Sequence, residues 1–562
     1  MAPVRPSSSS SSDTAVDENS HGDDHSRSRN DVNAPSLVAH VRAGFATLLE
    51  LVFKVPYLVG LQITLLGYYI YQWIVDLLFT VPYRPLKDNQ KPFGRIAIIG
   101  AGLTGISSAA HCVSHGFEVV IYDSDDKIGG VWSNVNSTSQ LQLNSLMYRF
   151  HPSVKWSKGF PKRDEIVSEI KKLADRYNLQ GSLRLQTPVK KVTRHKELST
   201  DPKEGGHARW VINDGQDGVF DAVIVSIGTC GKPKMIKFEG QDDFKGKILH
   251  SSQLDNAELK GKKVVIVGSG ASGVEAAELA VEKRASKIVV LARDDKWIIP
   301  RNTVFDVALA LQFFGRPSPL SFIPEWFIRL THYRSLKDLS PQHTRLFEST
   351  PIVNNDFLSH IRQGIVEYKR GDTQGLTSDG VKFTLRGVKS KSGDPGIDKI
   401  EQADVVVLAT GYERPSIDML PKDLFPKEGD RDYDRPNLYL QTLSVEDWSV
   451  VLTNSSYMDA IGVVGGFHIG LYARILMMFL LDKRCRPIPK AMKLWVDFLT
   501  WIKFTAWGEI DTSAMAFFTY SELCLWVVSF HLFRVYRLLW LPFVLFGWGI
   551  HPQPQQVSKK TK

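Results

Sequence analysis

Cysteine is scarce in this 562-residue sequence, and its spacing excludes several kinds of site. No two of the four cysteines have the C-x-x-C spacing of a zinc knuckle or a redox-active dithiol. A disulfide-based secreted scaffold is excluded for the same reason, so we expect a reducing compartment and predict no metal site. The four residues are Cys112, Cys230, Cys485 and Cys524.

Basic clusters are also missing, although the formal net charge is +9. The 69 Lys and Arg residues are scattered, and no basic stripe with interleaved aromatic residues is present, so nucleic acid is not an expected partner. A diffuse positive charge suits phosphorylated ligands and anionic lipid headgroups. An apolar content of 43% is that of a folded globular protein.

Long uncharged apolar runs are rare, and the clearest lies near the N-terminus. Val55–Val75 carries no charged residue and would rise about 31 Å as a helix, which is enough to cross a bilayer. We therefore predict a transmembrane or membrane-anchoring helix within residues 45–82, with a buried or interfacial helix as the alternative. Acidic residues precede this run and basic residues follow it, which favours a cytosolic location for the rest of the chain.

The two ends of the chain differ in composition from the middle. Residues 1–36 are polar and lack large apolar side chains, so we predict a disordered tail. Residues 510–550 are apolar but interrupted by charge, which favours a membrane-associated segment in the headgroup layer over a spanning helix.

Between these ends, short apolar runs alternate with segments that have helical character. Arg95–Gly100 precedes a glycine turn and a helical segment, and Phe117–Asp123 is the next strand. The same order recurs between Lys263 and Arg293. Strand–helix–strand units with short turns imply parallel sheets, so the predicted fold class is α/β. Two further buried-strand runs are Asp221–Gly228 and Asp404–Gly411.

The first glycine turn has the spacing of a dinucleotide site. Gly100, Gly102 and Gly105 would permit the tight turn, the close approach of a pyrophosphate and the close packing of the helix on the sheet. The phosphates would meet unpaired N–H groups at the helix N-terminus. Asp123 ends the second strand, where a carboxylate would bind ribose hydroxyls.

The second glycine turn has the same spacing but a different partner. Gly268, Gly270 and Gly273 again stand between a strand and a helix, and the next strand ends in Arg293 rather than in an acid. A cation at that position can pair with the 2′-phosphate of NADP, so the sequence favours NADPH over NADH.

The distance between the two turns, 168 residues (268 − 100), leaves room for one domain to be inserted in the other. We predict two Rossmann-like dinucleotide-binding domains, the first formed by residues 93–235 and 404–490 and the second by residues 245–400. A tightly held FAD is assigned to the first domain and an exchangeable NADPH to the second, because a two-electron donor docking onto a buried flavin fits this arrangement.

A motif just before the second turn points to a family. Phe244, Gly246 and His250 resemble the F-x-G-x-x-x-H-x-x-x-[Y/F] sequence of class B flavin monooxygenases, whereas Leu254 departs from its final aromatic residue. Further segments are similar to the L-A-T-G-Y and G-G-x-W motifs of that family, and the resemblance covers about residues 93–480. These segments are Leu408–Tyr412 and Ile128–Trp132.

The resemblance implies an activity. Flavin reduced by NADPH would react with O2 to a C4a-(hydro)peroxyflavin, which transfers one oxygen atom to an organic substrate. We favour N- or S-oxygenation of a lipophilic substrate, with Baeyer–Villiger oxidation of a ketone as the alternative. A non-catalytic, membrane-bound flavin-binding protein is a third reading. The endoplasmic reticulum membrane, with the catalytic domain facing the cytosol, is the expected location.

The resemblance also supplies candidate residues. Asn144 would stand beside the flavin, and His250 would order the link between the domains rather than act as a general base. Arg163 would either contact FAD or be solvated. Gly465-Gly466 would either begin a helix that points at the flavin pyrimidine edge or form a flexible turn. The remaining cofactor-binding candidates are Gly130, Trp132, Thr410 and Gly411.

Overall fold

The computed structural model describes most of the chain. The described residues are 62, 64–87, 90–302, 322–346, 351–425, 438–455, 466–507 and 520–550. The predicted disordered tail, residues 1–36, lies outside them, as does most of the first half of the apolar run Val55–Val75.

Five apolar segments form the first sheet, in which all neighbouring strands are parallel. They are β1 (Arg95–Ile99), β2 (Glu118–Tyr122), β3 (Leu183–Arg184), β7 (Ala222–Val225) and β17 (Val450–Leu452). Their order across the sheet is β17-β7-β1-β2-β3. The strand β7 is buried along its whole length, which explains why it is a continuous apolar run rather than an alternating one.

The second sheet has seven strands, parallel at its centre and antiparallel at one edge. They are β8 (Lys247–His250), β9 (Lys263–Val267), β10 (Lys287–Ala292), β13 (Val366–Thr377), β14 (Gly380–Leu385), β15 (Ile397–Gln402) and β16 (Val405–Leu408). Their order is β15-β14-β13-β10-β9-β16-β8.

Two smaller sheets, ten α-helices and several 3-10 helices complete the described elements. The small sheets consist of β4 (Val192–Arg194), β5 (Trp210–Ile212) and β6 (Val219–Phe220), and of β11 (Ile298–Ile299) and β12 (Ile352–Val353). The helices are α1 (residues 64–79), α2 (Leu103–Ser114), α3 (Arg163–Arg176), α4 (Ala271–Glu282), α5 (Phe322–Thr331), α6 (Phe357–Arg362), α7 (Phe467–Leu481), α8 (Pro489–Trp507), α9 (Tyr520–Leu532) and α10 (Leu541–Phe546).

The two large sheets share one internal plan. In the first sheet, β1 ends at a glycine turn and lies between β2, which follows α2, and β7, which begins after Asp221. In the second sheet, β9 ends at a glycine turn and lies between β10, which follows α4, and β16, which begins after Asp404. The Asp221 carboxylate accepts the backbone N–H of Arg95 at 2.7 Å, and the Asp404 carboxylate accepts that of Lys263 at the same distance. The runs Asp221–Gly228 and Asp404–Gly411 are therefore structural equivalents in different domains.

This equivalence corrects one predicted boundary. From the sequence, we predicted that the second segment of the first domain begins at residue 404. In the structure, β16 pairs with β9 and β8 of the second sheet instead. The first sheet receives its last strand only at β17, which pairs with β7. A buried apolar run after Asp404 fits either sheet equally well, so its composition alone does not identify its partner.

The apolar segments near the two ends of the chain form no membrane-spanning helix in the part that the structure describes. None of the described helices is both long enough and apolar enough to cross a membrane. Within residues 70–79, the polar side chain of Gln72 on α1 is buried against the rest of the protein. Its amide oxygen accepts hydrogen bonds from the Arg149 side chain and from the Trp156 backbone N–H. Its apolar side chains point outward, with Trp73 59% and Leu77 63% exposed.

Candidate functional site

At two positions of the first glycine turn, no residue other than glycine fits. Gly100 has a φ of +108°, and a Cβ added there would lie 2.5 Å from the carbonyl oxygen of Ser226 at the end of β7. A Cβ on Gly105 would lie 1.8 Å from the carbonyl oxygen of Gly100. The helix α2 can therefore approach β1 only because these side chains are missing.

The N-terminus of α2 is open at this turn. Its N-cap is Gly102, and no side chain caps the first N–H groups. Gly130 packs against Gly102, since a Cβ on Gly130 would lie 3.0 Å from the Gly102 Cα. The Asp123 carboxylate accepts the backbone N–H groups of Ala101 at 2.5 Å and Asp125 at 2.9 Å, and burial raises the pKa of Asp123. The carboxylate is thus fixed beside the turn, where the ribose of a nucleotide would lie.

A second helix begins near the same turn. The helix α7 starts after Gly466, whose φ is +95°. His468 bonds to the Asn454 amide oxygen at 2.7 Å, and the Asn454 amide donates to the Thr104 hydroxyl in the first turn of α2 at 2.8 Å. These contacts hold the N-termini of α2 and α7 together. Of the two alternatives for Gly465-Gly466, a helix does begin after Gly466. Asn454, which follows β17, carries no motif by which the sequence could have identified it.

The second glycine turn repeats the geometry of the first. Gly268 has a φ of +113°, and a Cβ on Gly273 would lie 2.1 Å from the Gly268 carbonyl oxygen. A Cβ on Gly270 would meet nothing within 4 Å, and no side chain caps α4 after it. The Arg293 side chain is 77% exposed at the end of β10 and contacts Asp294 at 3.3 Å.

Two linkers connect the domains and pair with one another at residues 231–234 and 410–413, which we name the linker ribbon. Backbone N–H groups of Gly231 and Lys234 donate to the carbonyls of Glu413 and Gly411, at 2.8 and 3.0 Å. The Thr410 hydroxyl donates to the Lys234 carbonyl at 2.5 Å. Thr410 and Gly411 thus belong to this linker ribbon, directly after β16 and beside the second glycine turn.

His250 fastens the ribbon to the second domain. Its Nε2 bonds to the Gly411 carbonyl at 2.9 Å, while its Nδ1 accepts the Ser252 backbone N–H at 3.2 Å. The two contacts require the neutral Nε2–H tautomer, and burial lowers the pKa of His250, which favours that form. The ring also caps the 3-10 helix Ser251–Asn256, whose Leu254 is completely buried.

Asn144 and Trp132 both contact Tyr148 in the first domain. The Asn144 amide oxygen accepts the Leu146 backbone N–H at 2.9 Å, so this buried side chain caps a turn. Trp132 is half-buried and hydrogen bonds to Tyr148. Arg163 is not simply solvated, because it binds the Asp255 carboxylate of the second domain and the Val135 carbonyl.

A family model named flavin-binding monooxygenase-like matches residues 93–418, which is more than half of the chain. The chain belongs to this family. The match begins at β1 and ends just after the linker ribbon, so it includes both glycine turns. The resemblance inferred from Phe244, Gly246 and His250 is confirmed.

Curated relatives of this flavin-binding monooxygenase-like chain include two kinds of enzyme. Dimethylaniline monooxygenase [N-oxide-forming] 2 of Cavia porcellus is 26% identical over 348 residues, 57% of this chain and 61% of that protein. A Baeyer–Villiger monooxygenase of Pseudomonas aeruginosa is 27% identical over 215 residues, 37% of this chain and 39% of that protein. The chain thus spans about three fifths or less of the length of these relatives.

Solved structures share the fold. A steroid monooxygenase bound to NADP has a TM-score of 0.59 at 18% identity, covering 79% of this chain and 98% of its own. A complex named OTEMO, with FAD and NADP, has a TM-score of 0.57 at 17% identity, covering 80% and 99%. The predicted α/β architecture with parallel sheets is confirmed.

The residues present fit the two cofactors of the family. The first turn offers uncapped N–H groups, a close glycine contact and a fixed carboxylate, as a flavin dinucleotide requires. The second turn offers an open glycine face and an exposed guanidinium, as NADP requires. The predicted pair of FAD and NADPH agrees with the family and with the nucleotides in the solved neighbours.

Proposed function

We propose that this chain is an FAD- and NADPH-dependent monooxygenase that transfers one oxygen atom of O2 to a lipophilic substrate at nitrogen or sulfur. The observation that carries the proposal is the pair of uncapped glycine turns, one on each parallel sheet, joined by the paired linker ribbon. FAD and NADPH, when bound, supply the reducing electrons and the oxygen-activating centre. The protein supplies binding, orientation and exclusion of water.

At the first turn, Gly100, Gly102 and Gly105 would accept the FAD pyrophosphate on the N-terminus of α2. Asp123 would accept hydrogen bonds from the ribose hydroxyls, because its backbone contacts leave acceptor positions on both carboxylate oxygens. Gly130 and Trp132 would close the site from the side. Asn144, whose carbonyl accepts the backbone N–H of Tyr148, the hydrogen-bond partner of Trp132, would contact the flavin.

At the second turn, the open face of Gly270 would admit the NADPH pyrophosphate. Arg293 would bind the 2′-phosphate with its exposed guanidinium, which can form two parallel hydrogen bonds to phosphate oxygens. Thr410 and Gly411 would border the nucleotide from β16, since the Ala409 backbone approaches the Gly268 turn. His250 would hold that border in place through Gly411.

Oxygenation at nitrogen or sulfur is preferred over Baeyer–Villiger oxidation because of the extent of the curated matches. The N-oxide-forming relative matches a larger share of the chain than the Baeyer–Villiger relative, 57% against 37%. Position 254 favours neither activity, because Leu254, packed in the core of the second domain, is neither the tryptophan of the Baeyer–Villiger motif nor the aromatic residue of the flavin-containing form. A non-catalytic flavin-binding protein is the remaining alternative.

Purified protein distinguishes these candidates. We expect a yellow protein that consumes NADPH and O2 and converts a tertiary amine or a thioether to its N- or S-oxide, as identified by mass spectrometry. Conversion of a cyclic ketone to a lactone instead would support the Baeyer–Villiger alternative. A colourless protein that does not oxidise NADPH would contradict both enzymatic candidates.

Access of a lipophilic substrate from a membrane surface is a further part of the proposal. The outward face of α1 within residues 70–79 exposes Ile70, Trp73 and Leu77, and the C-terminal helix α9 exposes Val528 and Leu532. Apolar faces of this kind, on a chain with net positive charge, suit the interfacial layer of an anionic membrane. We propose that these faces contact the endoplasmic reticulum membrane.

Vesicle co-sedimentation tests the membrane contact. We expect the wild-type protein to bind vesicles containing anionic lipid and the double variant Trp73→Glu and Leu77→Glu to bind them at least tenfold more weakly. Ile397→Glu is the matched control, because Ile397 is 67% exposed on β15 of the second domain. Unchanged binding of the double variant would exclude α1 from the contact.

A further inference from the structure

One loop of the first domain is held by two carboxyl groups of the second. We name residues 136–144 the bridging loop; it ends at Asn144. Near its beginning, the Ser137 backbone N–H and hydroxyl donate to the Asp255 carboxylate at 3.0 and 2.8 Å. Arg163, at the start of α3, binds the same carboxylate. One acceptor of the second domain therefore fixes both the loop and a helix of the first.

Glu275 holds the middle of the bridging loop. The Ser139 hydroxyl donates to its carboxyl group at 2.7 Å and the Gln142 amide at 3.2 Å. The Thr138 hydroxyl donates to the Glu275 backbone carbonyl at 3.0 Å. The Gln142 amide oxygen also accepts the Val353 backbone N–H at 2.8 Å. The loop thus contacts both the side chain and the main chain of one residue of α4.

The position of Glu275 links this contact to the nucleotide site. Glu275 lies two residues after Gly273 on α4, the helix whose uncapped N-terminus follows the second glycine turn. Since a helix moves as a rigid unit over so short a distance, displacement of the turn would move the Glu275 carboxyl group with it. At the other end of the bridging loop stands Asn144, the residue assigned to the flavin side.

The charges around Glu275 make this contact sensitive to protonation. Burial raises the pKa of Glu275 to about 7 from an ordinary value of 4.5, while the Ser139 hydroxyl and the Gln140 backbone N–H lower it in part. Glu278, one turn further along α4, raises it as well, and Arg301 lowers it. Tyr412 of the linker ribbon also faces this carboxyl group.

We propose that Glu275 is a positioning residue that joins the nucleotide-binding helix to the bridging loop through a proton-controlled contact. The neutral acid keeps α4 and the loop packed, and the ionised carboxylate favours their separation because it is better solvated in water. The effect of this contact on nucleotide binding rests on the proposed NADPH site. The pH dependence of the contact does not require a bound nucleotide.

The direction of the effect follows from linkage. A carboxyl group with a pKa of about 7 when packed and 4.5 when solvated stabilises the packed state fully below pH 4.5 and loses that contribution as pH rises through 7. The bridging loop should separate roughly tenfold more often at pH 8 than at pH 6.

Hydrogen–deuterium exchange of the bridging loop in the flavin-containing protein tests this dependence. After correction for intrinsic exchange, we expect amide protection in residues 136–144 to fall about tenfold from pH 6 to pH 8 in the wild type. Glu275→Gln keeps a neutral side chain and should remove the pH response. Glu258→Gln, at an exposed carboxylate of the second domain that accepts the Lys260 backbone N–H, should retain the wild-type response. Equal responses of wild type and Glu275→Gln would overturn the proposal.

Binding of NADP+ tests the coupling to the nucleotide. We expect NADP+ to increase loop protection in the wild type and to do so less in Glu275→Ala, even when both are saturated. Full retention of the nucleotide effect in Glu275→Ala would refute the coupling. If NADP+ bound neither protein, the proposed function would fail, while the pH response would still decide the role of Glu275.

Discussion

At the scale of single residues, the glycine turns carry the sharpest expectations. Gly105→Ala would place a Cβ 1.8 Å from the Gly100 carbonyl oxygen, so α2 must move away from β1 and the pyrophosphate site must deform. We expect the purified variant to lose most of its flavin, measured as the ratio of flavin to protein absorbance. Gly181→Ala is the matched control, since a Cβ there meets nothing within 4 Å. Wild-type flavin content in Gly105→Ala would contradict the assignment of the first turn.

Arg293 carries the predicted choice of nicotinamide cofactor. A charge-assisted contact with the 2′-phosphate is worth about 1.5–3 kcal/mol, so Arg293→Ala should raise the KM for NADPH roughly tenfold to a hundredfold and leave that for NADH nearly unchanged. Lys296→Ala removes another exposed cation nearby and should leave both constants unchanged. A parallel loss for NADPH and NADH would show that Arg293 does not bind the 2′-phosphate.

At the scale of elements, the twin aspartates should have separable effects. Asp221→Ala removes the acceptor for the Arg95 N–H and a partner of Arg209, so we expect a loss of about 1–3 kcal/mol together with reduced flavin content. Asp404→Ala acts at a more exposed position, so we expect a smaller loss and an effect confined to NADP+ affinity. Urea unfolding and titration with each cofactor measure these effects. The Asp221→Asn and Asp404→Asn controls keep an acceptor oxygen.

The same elements show what could be predicted from the sequence. Both strand–turn–helix units were predictable because glycine spacing and apolar runs are local signals. The partner of the run after Asp404 was not, because any buried parallel strand has the same composition, and β17 is a strand of three residues with no distinctive pattern. Sheet order depends on tertiary pairing that a single run does not encode.

At the scale of the whole molecule, buried histidines link stability to pH. Burial lowers the pKa of His207 to about 3 from an ordinary value of 6.5, and its ring packs against Trp448. Its contribution to stability is present above pH 6.5 and is lost as pH falls towards 3, because only the unfolded chain takes up the proton. His207→Phe should therefore lose less free energy of unfolding between pH 6.5 and 5 than the wild type, by up to about 1.4 kcal/mol per pH unit. His343→Phe, at an exposed position, should behave as the wild type.

The contacts between domains were the least predictable part of the candidate site. Asp255 and Glu275 stand outside every recognised motif position, and their partners Ser137 and Ser139 lie more than a hundred residues away in the sequence. Such contacts arise only when two domains have folded and met. His250 is the exception, since the family motif marked it as a residue of the link between the domains.

Oxygen transfer is the central claim, and isotope labelling tests it most directly. The flavin-containing protein is mixed with NADPH, a thioether or tertiary amine, and 18O2 in ordinary water, and the product is analysed by mass spectrometry. We expect one 18O atom in each product molecule and one molecule of NADPH oxidised for each product molecule formed. Product oxygen derived from water would contradict oxygen transfer from O2, and so would a flavin that stays oxidised when NADPH is added under anaerobic conditions.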